Sequence, residues 1–160
     1  MCTSGNPAGI RRLARAAPKV RLGVSISSAR PAVRRSLMPV DRAHDLDEVL
    51  AAAADHARAT RLAPMWAVTL LAGVNDGDDD ARALAERAAA FAAATGARPR
   101  LSVLAYNPIG ADDPFARADD AVLARFRAVL SAHGLPSHRR YSGGSDIAAA
   151  CGQLAATVGG

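Results

Sequence analysis

The stretch of sequence that decides the fold is WAVTLLAGVNDGDDDARALAERAAAFA, which runs from residue 66 to residue 92. Trp66 to Leu71 form an almost unbroken apolar run of strand length, which is typical of a strand buried on both faces. The segment from Gly73 to Gly77 predicts a turn, and the three aspartates after it favour the N-terminus of a helix. That helix is marked by an apolar repeat at Leu84, Ala88, Phe91 and Ala92.

The same alternation continues toward the N-terminus. Helical spacing begins at Pro7 and stops at Pro18, and a short run of branched residues then predicts a strand over Val20 to Ile26. A loop is expected to carry Arg30, Pro31, Arg34 and Arg35. Asp45, with Glu48 three residues on, predicts the start of the next helix.

Toward the C-terminus the pattern repeats. Gly96 is expected to end the helix of the opening stretch, and Leu101 to Tyr106 form another strand. Val122 to Leu130 have helical spacing, followed by Gly134, by an expected strand over Ser137 to Tyr141 and by a helix from near Asp146. Alternating strands and helices predict an α/β fold around a parallel sheet. Three or four strands do not close a barrel, so the chain resembles part of a larger architecture, undivided over residues 1–160.

Composition excludes several classes of protein. The chain has 160 residues, of which half are hydrophobic, and a mean hydropathy of +0.04, which argues against disorder and against a membrane protein. Its longest apolar stretch, Ala63 to Val74, is too short to span a bilayer, and no secretory signal opens the chain. Two cysteines are too few for a disulfide framework. The sequence therefore predicts a soluble cytoplasmic protein with no membrane partner.

Charge is unevenly distributed along the chain. Residues 1–42 carry nine basic and one acidic side chain, residues 43–96 four and nine, and residues 97–160 seven and five. A basic end beside an acidic middle suggests one face that favours phosphates, although a merely solvated surface fits the charges equally well. The candidate phosphate contacts are Arg11, Arg12, Arg15, Lys19, Arg30, Arg34 and Arg35.

Polar side chains follow the predicted strands, where α/β proteins collect their functional groups. Ser25, Ser27 and Ser28 come after one strand, Asn107 comes after another, and Cys2 to Gly5 precede a helix as the end of a strand would. Hydroxyls and an amide at this edge can bind the ribose, carboxylate or amine of a small ligand. The alternative is that the serines only form turns.

Cys151 lies in Ala148-Ala149-Ala150-Cys151-Gly152-Gln153-Leu154. Its helical spacing with Ile147 and Leu154 favours a buried, inert cysteine, whereas the flanking glycines would let the segment move. Neither cysteine has another within metal-ligand spacing, and the four histidines form no metal motif, so the spacing predicts no metal site.

Several motifs, in order, resemble one family. They are Cys2-Thr3-Ser4-Gly5, Val24-Ser25-Ile26-Ser27, Arg34-Arg35-Ser36-Leu37-Met38-Pro39-Val40, Leu70-Leu71-Ala72-Gly73-Val74-Asn75-Asp76, Tyr106-Asn107-Pro108-Ile109-Gly110 and Ser145-Asp146 through Leu154. Together they resemble the C-terminal half of the RlmN/Cfr family of radical S-adenosylmethionine RNA methyltransferases. The resemblance implies part of a partial (β/α)6 radical-SAM barrel, with residues 1–160 forming one incomplete radical-SAM-like domain.

The resemblance also implies a reaction, the methylation of an adenine ring carbon in ribosomal RNA and, in some members, transfer RNA. In the family a cysteine, here Cys151, first takes a methyl group from S-adenosylmethionine. A second S-adenosylmethionine is cleaved at a [4Fe-4S] cluster, with electrons from a donor such as flavodoxin or ferredoxin, and the resulting radical activates that methyl group. Covalent catalysis of this kind divides one inaccessible step into feasible ones.

Carried over by motif, Ser25 and Asn107 match family positions that contact S-adenosylmethionine. Cys2 stands where many members have a serine, and Ser27 where many have a histidine, so the contacts expected at Cys2 and Ser27 depart from the family pattern. The chain has no Cys-x-x-x-Cys-x-x-Cys loop to bind the cluster, which leads us to expect an N-terminally incomplete product that binds no iron alone. The alternatives are a non-catalytic remnant or RNA-binding module, and a radical enzyme acting on a protein or small molecule.

Overall fold

The computed structural model describes residues 1–109 and 112–140, and in this part of the chain strands alternate with helices. The strands are β1 (Cys2–Thr3), β2 (Gly23–Ser25), β3 (Met65–Leu70), β4 (Arg100–Ala105) and β5 (Ser137–Arg139). The α-helices are α1 (Pro7–Ala16), α2 (Pro31–Leu37), α3 (Leu46–Thr60), α4 (Asp78–Thr95) and α5 (Asp120–Ala132), and a 3-10 turn spans Pro39–Arg42.

The strands form one sheet whose spatial order is the chain order, β1-β2-β3-β4-β5, and every neighbouring pair is parallel. Parallel neighbours need a crossover connection, and each connection between consecutive strands contains at least one α-helix. This consecutive order is the one found in strands of a barrel wall, whereas doubly wound sheets reverse direction at a switch point. The predicted α/β fold with parallel strands is confirmed.

One face of the sheet packs against the helices and forms the core. Val24, Trp66 and Leu101 lie side by side on β2, β3 and β4, and each is at most 1% exposed. The ring of Trp66 meets that of Phe91 on α4 edge to face, with centroids 5.5 Å apart. Buried aromatic side chains contribute strongly to core energetics. Trp66 and Phe91 both belong to residues 66–92, so this stretch supplies both sides of a central contact.

The opposite face of the sheet is more open. Ser25, Ala67 and Ser102 are neighbours on this face, and Ala67 and Thr69 of β3 are half-buried. The prediction that β3 is buried on both faces was therefore wrong, because the buried residues of β3 alternate with half-exposed ones. We call the face that carries Ser25, Ala67, Thr69 and Ser102 the open face.

Most helix boundaries agree with the sequence. Pro7 opens α1, and the Asp45 side chain accepts a hydrogen bond of 2.9 Å from the amide of Glu48 at the start of α3. Gly96 and Gly134, after α4 and α5, have positive φ angles of 70° and 77° that a glycine adopts without strain.

Three boundaries differ from the prediction. The expected loop at Arg30 to Arg35 is mostly helix, because Pro31 occupies the first turn of α2, where its missing amide proton costs nothing. β2 covers only Gly23–Ser25 of the expected Val20 to Ile26, since Ser27 turns the chain with a φ of 57°. β5 ends at Arg139. The expected extension to Tyr141, the helix near Asp146 and Cys151 lie outside the described residues.

Among residues 1–109 and 112–140, none of the helices combines the length and the apolar character needed to cross a bilayer.

Candidate functional site

The carboxyl ends of β1 to β4 lie at one edge of the sheet and bring most of the predicted site residues there. Ser25 ends β2 on the open face, Ser27 follows two residues later, and Asn107 lies two residues beyond the end of β4. β3 separates β2 from β4, so the two strands are about 10 Å apart. A ligand of nucleoside size can span this distance.

Cys2 lies on the open face as well, but nearer the start of β2. It is opposite Gly23, and a Cβ atom built on Gly23 would stand only 2.8 Å from the Cys2 sulfur. The thiol therefore occupies the space that a side chain at position 23 would fill. Cys2 is exposed. It lies on the same face of the sheet as Ser25, which follows Gly23 by two residues on β2.

Arg34 of α2 is a buried guanidinium that ties two strand ends together. Its side chain is 0% exposed, and its Nε donates to Asp41 Oδ1 at 2.8 Å. Its Nη1 donates to the carbonyls of Ser25, at 3.1 Å, and of Ile26. Its Nη2 donates to the carbonyl of Ser4 at 3.1 Å. The predicted contact between Arg34 and phosphate was therefore wrong, because every part of the guanidinium is already bonded within the protein.

Asn75 joins the ends of β2 and β3. Its Nδ2 donates to the carbonyls of Ser27 and Thr69 at 2.7 and 2.9 Å, and its Oδ1 accepts from the amide of Leu71 at 2.8 Å. The residue is 1% exposed. The Gly73-Gly77 segment was predicted only as a turn, and its asparagine turns out to hold the backbone at Ser27 from the neighbouring strand end.

Ser27 has an unusual backbone. Its φ of 57° lies in the left-handed region, which a non-glycine residue occupies only when its surroundings impose it. The Asn75 amide holds the Ser27 carbonyl, and the amide of Ser28 turns back to the carbonyl of Ile26 at 2.7 Å. The half-buried Ser27 side chain is thereby held at the edge of the sheet.

Asn107 is 7% exposed and has one bonded side-chain atom. Its Oδ1 accepts from Nη1 of Arg117 at 2.6 Å, and the same Nη1 lies 3.3 Å from the carbonyl oxygen of Tyr106. Within the part of the chain that the structure describes, nothing accepts from the Asn107 amide NH2 group. Among the described residues, the NH2 group of Asn107 is thus left without an acceptor, at the same edge of the sheet as Ser25 and Ser27 and with one strand between.

A phenol-carboxylate pair braces the loop after β4. The Tyr106 hydroxyl donates to Asp113 Oδ2 at 2.8 Å, and the amides of Ile109 and Phe115 donate to the same carboxylate at 2.7 and 2.9 Å. Those two backbone bonds, with the phenol, lower the pKa of Asp113 below its usual value. Burial and the neighbouring carboxylate raise the pKa of Tyr106. The pair therefore stays in its bonded form, with an ionised acid and a protonated phenol, at neutral pH.

Asp80, like Asp41, is a buried acid near this edge of the sheet. Burial raises the pKa of Asp80, while Arg30, whose Nη1 lies 3.4 Å from Oδ1, works in the opposite direction. The Gly77 amide, at the N-cap of α4, also lowers that pKa, as expected of an acid in the first turn of a helix. Arg30 is thus engaged by an internal acid, although half of its side chain is exposed.

A cavity of about 480 Å³ lies toward the opposite end of β4 and β5. Its lining includes Met65, Arg100, Ser102, His138 and Arg140. It contains none of the predicted site residues. The described residues also hold no group of three histidine, cysteine or acidic side chains that could bind a metal ion.

Two contributors to the site were missed from the sequence. Arg117 has no motif around it, and nothing local indicates that it reaches Asn107 ten residues earlier. Asn75 was visible only as a turn residue, and its contact with Ser27 crosses 48 residues of sequence. Cys151 lies outside the described residues, so its predicted role has no geometry here.

Comparison with known proteins identifies relatives of this architecture. A probable RNA methyltransferase of Sorangium cellulosum is 55% identical over 97% of this chain and 43% of its own length. A probable dual-specificity RNA methyltransferase RlmN of Symbiobacterium thermophilum is 35% identical over 95% of this chain and 39% of its own length. A ribosomal RNA large subunit methyltransferase Cfr of Lachnoclostridium phytofermentans is 38% identical over 95% of this chain and 44% of its own length. No protein-family model matches the chain.

The fold has a solved counterpart. The crystal structure of a radical SAM methyltransferase from Sphaerobacter thermophilus superposes with a TM-score of 0.86 at 36% identity, covering 95% of this chain and 42% of that one. The chain thus spans about two fifths of the length of the relatives it matches. Over almost its whole length, the chain is therefore similar to about two fifths of proteins named RlmN and Cfr RNA methyltransferases and of a radical SAM methyltransferase of known structure.

Proposed function

We propose that this chain supplies the C-terminal part of an enzyme that methylates an adenine ring carbon in ribosomal RNA, with Cys151 as the methyl-carrying residue. The observation that supports this most is the fold shared with a radical SAM methyltransferase over 95% of the chain. The names of the relatives point to RNA as the substrate, and one of them specifies ribosomal RNA. The family resemblance extends the proposal to transfer RNA, and the name of one relative gives that relative a dual specificity for RNA.

The residues at the carboxyl edge fit S-adenosylmethionine. No described residue accepts from the Asn107 NH2 group, Ser25 and Ser27 add hydroxyls, and β2 and β4 stand a nucleoside's length apart. Cys2 extends the same open face toward the start of β2. Bound there, S-adenosylmethionine supplies the methyl group, and the role of these four residues is to hold and orient it.

A [4Fe-4S] cluster does not fit the cysteines of this chain. The family loop needs three, and the chain contains only Cys2 and Cys151. We therefore propose no role for this chain's own residues in holding a cluster. Methyl transfer to Cys151 does not need a cluster. A new S–CH3 bond forms at the Cys151 sulfur, the sulfonium C–S bond of S-adenosylmethionine breaks, and the thiol proton passes to solvent.

The direct test is the fate of a labelled methyl group. We expect the 160-residue chain, incubated with methyl-deuterated S-adenosylmethionine, to acquire one methyl group on the peptide that contains Cys151, as measured by mass spectrometry. A parallel sample of Cys151→Ser is the control, because it removes the proposed methyl acceptor and keeps the exposed Cys2. Label on both cysteines, or none on Cys151 in a chain shown to bind S-adenosylhomocysteine, would refute the carrier role.

Basic residues in and just after α1 support RNA as the partner. Arg12, Arg15 and Lys19 are exposed, and no described acidic side chain pairs with them. Arg11, in contrast, is engaged by Asp55 at 2.9 Å. Free cations of this kind contact phosphates and release counterions from RNA.

Replacing Arg12, Arg15 and Lys19 together with glutamine is expected to weaken binding of a short adenosine-containing RNA. Affinity falls as salt rises, and loss of three phosphate contacts should make this dependence shallower. The slope of log affinity against log salt should become less negative by about 2, at roughly 0.7 per contact for a single strand. The matched control replaces Arg58, Arg82 and Arg87, which are paired with Asp55, Asp79 and Asp47. Equal slopes for the two triple variants would show that only net charge matters.

A further inference from the structure

We propose that Arg117 is a positioning residue that fixes the Asn107 amide as a hydrogen-bond donor, so that this part of the site takes a ligand group with an acceptor lone pair. The inference rests on the proposed S-adenosylmethionine site and names the chemistry that this site recognises. It assigns a role to an arginine that lies outside all the sequence motifs and ten residues away from Asn107.

The direction of the amide follows from the chemistry of its neighbour. An asparagine side chain has a carbonyl oxygen and an NH2 group that exchange places when the amide turns over. Arginine carries only donors, so the atom that faces Nη1 of Arg117 at 2.6 Å must be Oδ1. The reversed amide would set two donors against each other. The NH2 group therefore points away from Arg117, where no described residue accepts from it.

The arginine is itself held in place from two directions. Its backbone forms an antiparallel bridge to Leu71 at the end of β3, and the neighbouring Ala116 carbonyl accepts from the amide of Ala72 at 3.0 Å. Its Nη1 also lies within reach of the Tyr106 carbonyl at 3.3 Å. Arg117 thus links the end of β3 to the residue beside Asn107.

The loop that carries Asn107 also has contacts that do not involve Arg117. Asp113 receives the Tyr106 hydroxyl on one side of Asn107 and the Ile109 amide on the other. The segment on both sides of Asn107 therefore keeps two bonds to Asp113 when Arg117 is replaced, whereas the orientation of the Asn107 side chain depends on Arg117. This separation predicts that loss of the guanidinium frees the amide to turn over while the loop stays in place.

S-adenosylmethionine offers acceptors in two portions. The adenosine portion has the ring nitrogens of adenine and the hydroxyl oxygens of ribose, and the amino acid portion has the carboxylate. All of them accept from an NH2 group. Methylthioadenosine keeps the adenine and lacks the carboxylate, so it distinguishes the two. A binding defect seen with both ligands assigns the acceptor to the adenosine portion, and a defect seen only with the complete ligand assigns it to the carboxylate.

The test is a double-mutant cycle on the 160-residue chain, with affinity for S-adenosylhomocysteine followed by NMR titration. We expect Asn107→Ala and Arg117→Met each to weaken binding by about five- to tenfold, the size of one lost hydrogen bond, and the double variant to bind no more weakly than Asn107→Ala alone. We expect Asn107→Asp to bind worse than Asn107→Ala, because its new oxygen faces the acceptor. Arg82→Met removes an exposed arginine on α4 as a control.

The outcomes separate the positioning role from the site itself. If Arg117 contacted the ligand directly, Arg117→Met would weaken binding further in the Asn107→Ala background, and the positioning role would be lost. Unchanged affinity in Arg117→Met would also overturn it. If the unaltered chain does not bind S-adenosylhomocysteine at millimolar concentration, the S-adenosylmethionine site of the proposed function fails first. The Asn107 side-chain NH2 resonances provide a further readout, since they should shift in Arg117→Met while the Tyr106 and Ile109 amides stay in place.

Discussion

Replacing Arg34 with methionine is expected to lower the free energy of unfolding by about 3–5 kcal/mol, because it leaves Asp41 as a buried charge without its partner. The Arg34 side chain is 0% exposed and that of Asp41 only 2% exposed. The substitution also removes the donor from the carbonyls of Ser4, Ser25 and Ile26. Urea denaturation followed by circular dichroism measures the loss, and an unchanged slope shows that the unfolding transition is still the same one.

The neighbouring arginine provides the control for this prediction. Arg35 lies 3.8 Å from the other Asp41 oxygen with 62% of its side chain exposed, so Arg35→Met should cost less than about 1 kcal/mol. If Arg34→Met fails to fold, Arg34→Lys keeps the charge and tests the loss of the planar donors alone. Adding Asp41→Leu to Arg34→Met should restore part of the stability, since a buried pair replaced on both sides leaves no isolated charge. A loss of under 1 kcal/mol for Arg34→Met would contradict this account.

The order of strands and helices was predictable because each element carries its own local signal. The apolar run at Trp66 to Leu71 and the caps at Asp45 and Gly96 depend on residues within one or two turns, and each appears where the sequence places it. α2 was missed because Arg34 and Arg35 read as solvated charges. Nothing within α2 indicates that Arg34 is buried, since its partners are Asp41 and the ends of two strands.

The grouping of the candidate residues at one edge of the sheet was predictable from the sequence, whereas the contacts that hold them were not. The rule that parallel strands collect functional groups at their carboxyl ends brought Ser25, Ser27 and Asn107 to one edge. The groups that orient them are arginine and asparagine side chains from distant segments, such as Arg117 and Asn75. Contacts between side chains so far apart in the sequence depend on which strand ends lie side by side in the folded sheet. The periodicity of a sequence does not encode this.

The positive φ angle of Ser27 shows the same division between local and distant causes. A serine in the left-handed region has no local reason to be there, and a turn rule would place glycine or asparagine at such a position. The Asn75 amide, 48 residues away in sequence, holds its carbonyl at 2.7 Å. The strain at this strand end is therefore maintained by the loop after β3, so Asn75 should be as important for the site as for stability.

Asn75→Ala is expected to cost about 3 kcal/mol of unfolding free energy, since it breaks three buried hydrogen bonds at about 1 kcal/mol each. Asn75→Asp is expected to cost at least as much, because a carboxylate oxygen would then face the carbonyls of Ser27 and Thr69. Hydrogen exchange adds a local measurement. The Leu71 amide should lose protection in Asn75→Ala beyond the global change, and keep a bonding partner in Asn75→Asp.

Asn6 is the matched control for Asn75, because it caps α1 at the surface with one hydrogen bond of 2.9 Å to the Gly9 amide. Asn6→Ala should therefore cost only about 1 kcal/mol and leave the exchange of the Leu71 amide unchanged. If Asn75→Ala and Asn6→Ala were equally destabilising, the three bonds of Asn75 would not be holding the ends of β2 and β3. A larger loss of stability for Asn75→Ala, together with faster exchange of the Leu71 amide, would locate the damage at the strand end that carries Ser27. Asn75 bonds both the Leu71 amide and the Ser27 carbonyl.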